Sequence, residues 1–197
     1  MAPQISKITE EQVRKLVIES ENPFNPLNMT FSYSYITGLV QLNWKDLLYA
    51  VENGFLSHQT AVEHALQEIQ KKDDSPEEVF ELAYMLQSDI QYPHSIYQLL
   101  EKLSIMQDSN DATESREKLL YVTLNWVYDH IDSYYNPVEV VDILCDEISY
   151  PDDVKALISF MPSSESQTNS HELHTKQLLD KMVVYLENQQ QRWASSE

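Results

Sequence analysis

The stretch "NPVEVVDILCDEISYPDDVKALISFMP", Asn136 to Pro162, decides the fold. Asn136 offers a side-chain oxygen to the orphan N–H groups of a helix start. Pro137 then takes the first helical position, where its missing N–H costs nothing, and Glu139 stands three residues past the cap, able to reach back. Val141, Leu144, Cys145 and Ile148 recur at spacings of three and four, with Glu139, Asp142 and Asp146 opposite, which is an amphipathic helix with the cysteine on its core side. Tyr150 and Pro151 end it, because a residue before proline is pushed out of the α region. Pro151 opens a second helix through Val154, Leu157, Ile158 and Met161. The segment reads as a helical hairpin.

The same grammar occurs earlier. "SPEEVFELAYMLQSDIQYPHSIYQLL", from Ser75, repeats the order cap, proline, glutamate, valine, then Tyr-Pro and a second apolar helix, with three more residues between its prolines. A helix precedes each copy, Ser57 to Lys72 before the first and about Thr113 to Tyr135 before the second. Two divergent three-helix units that stack on one another are therefore expected, each covering an apolar face its neighbour cannot bury alone. "KLLYVTLNWVYDHI", Lys118 to Ile131, is apolar nearly all round, with Leu120, Leu124, Val127 and Ile131 on its richest stripe, and is expected to run through the core.

Other helix signals agree. Thr9 with Gln12 and Ser75 with Glu78 have capping-box spacing. A helix from Asn43 should end at Gly54 and restart with Ser57 as its cap. "NPFNPLNMTFSYSYITGLV", Asn22 to Val40, is the least helical part: two prolines followed by β-prone aromatics from Phe31 predict an extended arm or a short strand pair. "PSSESQTNS", Pro162 to Ser170, is a polar linker into a last helix ending near Trp193. The chain is thus expected to be all-α, with about eight or nine helices in stacked hairpins and a small extended or β segment near residues 29–40. It reads as one domain of 197 residues: an N-terminal helix and arm (1–42), a helical-hairpin core (43–162), and a linker with C-terminal helix (163–197).

Composition removes whole classes of function. Only two glycines are present, so Gly-rich phosphate loops and dinucleotide fingerprints have no material to be built from. One cysteine rules out a disulfide framework and any Cys-based zinc cage. Thirty-two acidic against 13 basic residues leave a net charge of −19, which repels nucleic acid and anionic membrane alike. No apolar run reaches the roughly 18 to 20 residues needed to span a bilayer, and "MAPQISKITEEQVRKL" lacks the layout of a secretion signal, so a cytoplasmic protein is expected.

Catalytic and metal motifs are missing too. His171 and His174 in "HELH" are three apart, where a zinc protease needs four with a glutamate directly after the first histidine. His58 and His64 are six apart and diverge. "DSND" at Asp108 lacks the glycine and distal glutamate of a calcium loop. Cys145 faces a core, no Gly-x-Ser-x-Gly elbow exists, and adjacent Asp129 and His130 point about 100° apart on a helix. No catalytic, cofactor-binding or metal-binding residue is assigned, and the chain reads as a non-enzyme.

Charge distribution says more. From Asp129 to Asp153 there are eight carboxylates (Asp129, Asp132, Glu139, Asp142, Asp146, Glu147, Asp152, Asp153) and no Lys or Arg, with Tyr134, Tyr135 and Tyr150 among them. Such a surface suits a basic protein partner: charges raise the on-rate, and aromatics supply desolvated anchors. The expected partner-binding residues are Asp129, Asp132, Tyr134, Tyr135, Asp142, Asp146, Glu147, Asp152 and Asp153. Asp73, Asp74, Glu77, Glu78 and Glu81 form a second acidic cluster at the equivalent place in the first copy.

"NWKDLLYAVENGFLSHQTAVEHA", "LNWVYDHIDSYYNPVEVVDIL" and "SYPDDVKALISFMP" together resemble a bacterial family of uncharacterised, acidic, mostly helical proteins. Its members look like immunity proteins of polymorphic toxin systems, including those whose toxins carry LXG export domains. The resemblance spans roughly Trp44 to Pro162 and implies a cytoplasmic immunity protein that binds and neutralises a cognate, basic toxin, with no nucleic-acid or membrane partner. The alternative is a helical-repeat adaptor that takes a partner peptide or helix in an apolar groove. Oligomeric state is not assigned.

Overall fold

The computed structural model describes residues 6–72, 74–85, 93–107, 112–147, 154 and 170–193, with the side chains of 112, 146, 147 and 170–174 outside that set. Among the described residues there are nine α-helices, one 3-10 turn and no strand. They are α1 (Glu10–Glu19), α2 (Tyr33–Leu39), α3 (Trp44–Glu52), α4 (Gln59–Lys71), α5 (Glu77–Ala83), α6 (Pro93–Met106), α7 (Ala112–Asp129), the turn Ile131–Ser133, α8 (Pro137–Glu147) and α9 (Ser170–Trp193). The all-α expectation is met.

The chain divides into two compact units: a middle unit, Thr30–Leu119, and a split unit in which Met1–Met29 clusters with Leu120–Ala194. The first copy of the sequence repeat falls in the middle unit. The described part of the second, α8 with Val154, falls in the split unit. The partner helix of α8 lies outside the described residues except for Val154, which is buried.

In the middle unit α4 packs on α5, α3 on α6, and α5 on α6. Their shared core is apolar, with Leu47, Ala61, Ala65, Val79, Leu82, Ile96 and Leu100 buried. One ionic cluster interrupts it. Asp46 is fully buried, and its carboxylate accepts from Ser115 Oγ at 2.6 Å, Lys118 Nζ at 2.7 Å and the Asn43 backbone N–H at 3.0 Å. Lys118, only 7% exposed, also reaches Glu114 at 3.3 Å. A carboxylate taken from water at this depth survives because all its partners are in place. Asp46 also closes the capping box of α3 by accepting from Asn43, whose Oδ1 takes the Asp46 N–H at 2.9 Å. One side chain thus starts a helix and ties it to α7.

In the split unit α8 packs on α9, with Val140, Val141, Leu144, Cys145, Leu178 and Met182 buried. Leu120, Leu124 and Val127 of the expected apolar stripe are buried here, as is Tyr121, while Ile131 falls in the 3-10 turn and is half-buried. The N-terminal arm is tied down by a parallel bridge, in which the Ile8 N–H donates to Ser133 O at 2.7 Å and the Tyr135 N–H to Ile8 O at 2.8 Å. Thr9 and Gln12 form the expected capping box, and Arg14 and Glu10 of α1 then bond Glu139 (3.0 Å) and Asn136 (3.1 Å).

Three local expectations are corrected. Tyr33–Leu39 is a helix, not an arm or a strand pair: Ser32 caps it by accepting the Tyr35 N–H, and Tyr33 and Ile36, three residues apart, are both buried. A cap and a buried face outweigh the β preference of the aromatics. Ser57 is not the cap of α4. The helix begins one residue later, with His58 at the cap position and no side-chain capping bond, while the Ser57 carbonyl takes both N–H and hydroxyl of Thr60. At α5, Pro76 itself holds the cap position and Ser75 makes no capping bond, so the helix starts at Glu77. Asn43, Gly54 at φ 74°, Pro93 and Pro137 behave as read.

Candidate functional site

The acidic segment begins where α7 ends. Asp129 is exposed and accepts from Asn125 at 3.0 Å, one helical turn back. His130 stacks on Trp126 with ring centres 3.9 Å apart and bonds the Trp126 carbonyl, so it serves the helix terminus. Asp132, in the 3-10 turn, is exposed. Tyr135 follows with 63% of its surface in solvent.

Tyr134 is different. It is 8% exposed, and burial pushes its hydroxyl pKa up, so most of its side chain belongs to the core of the split unit. Alternation explains this: the bridge to Ile8 makes the backbone locally extended, and neighbouring side chains point opposite ways.

In α8 the Asn136 cap forms only half a box. Its Oδ1 receives the Glu139 N–H at 3.5 Å, but the Glu139 carboxylate turns to Arg14 instead of reaching back. The segment without a cation of its own is thus supplied with one by α1. Asp142 is half-buried. The side chains of Asp146 and Glu147, and both Asp152 and Asp153, lie outside the described residues. A cavity of about 310 Å³ is lined by Asp132, Tyr134 and Tyr135 together with Lys7, Thr175 and Lys176. Three of the expected residues therefore meet at one place, and Asp129 and Asp142 do not line it.

This arrangement can attract and orient a cation. Exposed carboxylates in a chain of net charge −19 create a long-range field, and Tyr135 offers a flat amphipathic surface beside it. The second acidic cluster stands in the middle unit, with Asp74, Glu77 and Glu81 exposed, Glu78 half-buried and Tyr84 exposed next to them; Asp73 lies outside the described residues.

Sequence reading passed over two tyrosine–histidine pairs of the middle unit. Tyr33 Oη lies 2.7 Å from His64 Nδ1, and His58 Nε2 lies 3.1 Å from Tyr97 Oη. Partners 31 and 39 residues apart leave no local spacing to detect. Among the described residues no group of three or more His, Cys, Asp or Glu is placed to hold a metal, and no helix is long and apolar enough to cross a membrane.

Fold and composition together define an acidic, all-α protein. Residues 33–190 match the family described as "Uncharacterized protein conserved in bacteria (DUF2247)", and the chain belongs to it. No curated protein and no solved structure matches the chain. The match runs from the start of α2 into α9 and leaves out the N-terminal arm and α1, whose Ile8, Glu10 and Arg14 hold the acidic segment.

Proposed function

We propose that this chain is a cytoplasmic immunity protein, of the kind that accompanies LXG-type toxins, which binds and neutralises a cognate basic toxin without catalysing a reaction. The observation that carries this reading is the run Asp129 to Asp153, eight carboxylates with no Lys or Arg, of which Asp129 and Asp132 are exposed beside an exposed Tyr135. A toxin acting on nucleic acid presents a positive cleft, and an acidic surface occupies such a cleft at electrostatically steered rates. Tyr135 supplies the desolvated anchor, and Asp142 adds charge on α8.

The test is co-expression with the product of the neighbouring gene, scored by growth rescue and by co-purification at low and high salt. Rescue through a salt-sensitive complex is expected. A toxic neighbour that is neither bound nor neutralised would overturn the proposal.

A further inference from the structure

A cleft in the middle unit contains the Tyr33–His64 pair. Its volume is about 420 Å³, within the range of small-molecule sites, and it is lined from α2, the α2–α3 connection, α4 and Gln107. Tyr33 and Val40 of its lining are buried, and the lining His64 ring is packed edge-on by Trp44 with centres 4.7 Å apart. Its polar lining is lopsided in a way that specifies a ligand.

Consider each acceptor first. Asn43 Oδ1 takes the Asp46 N–H at 2.9 Å, and Gln107 Oε1 takes the Trp44 N–H at 2.8 Å. Backbone N–H groups only donate, so these contacts fix which end of each amide is oxygen. Gln67 Oε1 lies 3.3 Å from Tyr33 Oη, and one oxygen of Glu68 faces Lys72 Nζ at 3.7 Å. The acceptors are largely committed within the protein.

The donors are not. The amide nitrogens of Asn43, Gln67 and Gln107 have no hydrogen bond among the described residues, and the Lys71 ammonium has no ion pair there. The His64 ring lies beside them, with Nδ1 2.7 Å from Tyr33 Oη, and the Tyr33 hydroxyl also faces Gln67 Oε1. Burial first, and then the charge of Lys71, lower the His64 pKa to about 4, so the ring is neutral at pH 7.

We propose that this cleft binds a small oxyanion, a phosphate ester or a carboxylate, whose oxygens take the unspent amide donors of Gln67, Asn43 and Gln107 beside the His64 ring and whose charge is met first by Lys71, with Lys72 next to it. An acceptor-only ligand fits these unspent amide donors, and in a chain with 13 basic residues two adjacent lysines stand at the lip of this cleft, Lys72 facing the Glu68 carboxylate and Lys71 with no ion pair among the described residues. This site is independent of the acidic segment and of the toxin reading.

Histidine-selective NMR of the full chain at pH 7 tests it, with methyl phosphate and acetate titrated separately against sodium chloride at matched ionic strength. A saturable shift of the His64 ring is expected with one or both anions, and which of them acts tells phosphate from carboxylate. His58, paired with Tyr97, should stay still. In the double variant K71A/K72A, two exposed positions at the end of α4 that leave the core untouched, affinity should fall by about tenfold or more, the worth of a charge-assisted hydrogen bond. No saturable shift with either anion, an equal shift of His58, or undiminished affinity in the double variant would each overturn the proposal.

Discussion

Asp46 in the middle unit and Asp132 in the split unit carry the same carboxylate in opposite surroundings. Asp46 has no exposed surface and is held by Ser115, Lys118 and Asn43, so its charge is spent entirely inside the fold. Asp132 stands in solvent on a 3-10 turn, where water already satisfies it and the fold gains little from its charge. A buried charge in this chain concerns stability, and an exposed one concerns what the chain meets. The same division separates His64, kept neutral by burial, from His130, which stacks on Trp126 at the open end of α7.

The contrast breaks most visibly at Asp46. Asp46→Ala leaves the Lys118 ammonium buried without its main partner and removes half of the α3 capping box; a loss of about 3–5 kcal/mol is expected in urea unfolding. A loss under about 1 kcal/mol would show that the cluster is not the ionic centre of the unit.

His64 is the next lever. Its folded pKa, about 4, lies below the unfolded value of 6.5 because burial, Lys71 and Lys72 disfavour the imidazolium more than Asp46 favours it. Between those values the unfolded chain binds the additional proton. The associated stability is therefore complete above about pH 6.5, is lost as pH falls towards 4, and amounts to roughly 3 kcal/mol. Unfolding curves of wild type and His64→Gln at pH 7, 5.5 and 4.5 measure it: the variant should lack that part of the acid slope, and parallel slopes would refute the assignment.

A smaller effect is expected at Thr9, whose hydroxyl and backbone share a capping box with Gln12. Thr9→Ala should cost about 1 kcal/mol. Its use is diagnostic, because α1 and the arm hold Ser133 to Glu139, and loosening them should raise amide exchange at Tyr135 before that of α9. Equal protection at Tyr135 in both proteins would show that the arm does not brace the turn. At the far end of the scale, reversing Asp129 and Asp132 to lysine should alter stability by no more than about 0.5 kcal/mol.

What was legible follows physical range. Caps, prolines and apolar periodicity act within one or two helical turns, so α1, α3, α8 and the buried stripe of α7 could be read from Thr9, Asn43, Pro137 and Leu124. Tyr33–Leu39 was misread because its aromatics were weighed by β preference while Ser32, the residue that caps it, was passed over. Tyr134 was grouped with Tyr135 because composition cannot say which of two neighbours faces inward; the bridge to Ile8, 126 residues earlier, decides that. The His64 cleft was illegible for the same reason, since Tyr33, His64 and Gln107 meet only through the fold.

The most direct test of the acidic segment is a binding measurement against the purified product of the neighbouring gene, using wild type and the charge-reversed D129K/D132K, at low and high salt. The wild type should associate fast at low salt and slower at high salt, and the variant, still folded, should associate slowly and with little dependence on salt. A folded variant that binds as fast as wild type at every salt concentration would contradict the claim that these exposed carboxylates dock the partner.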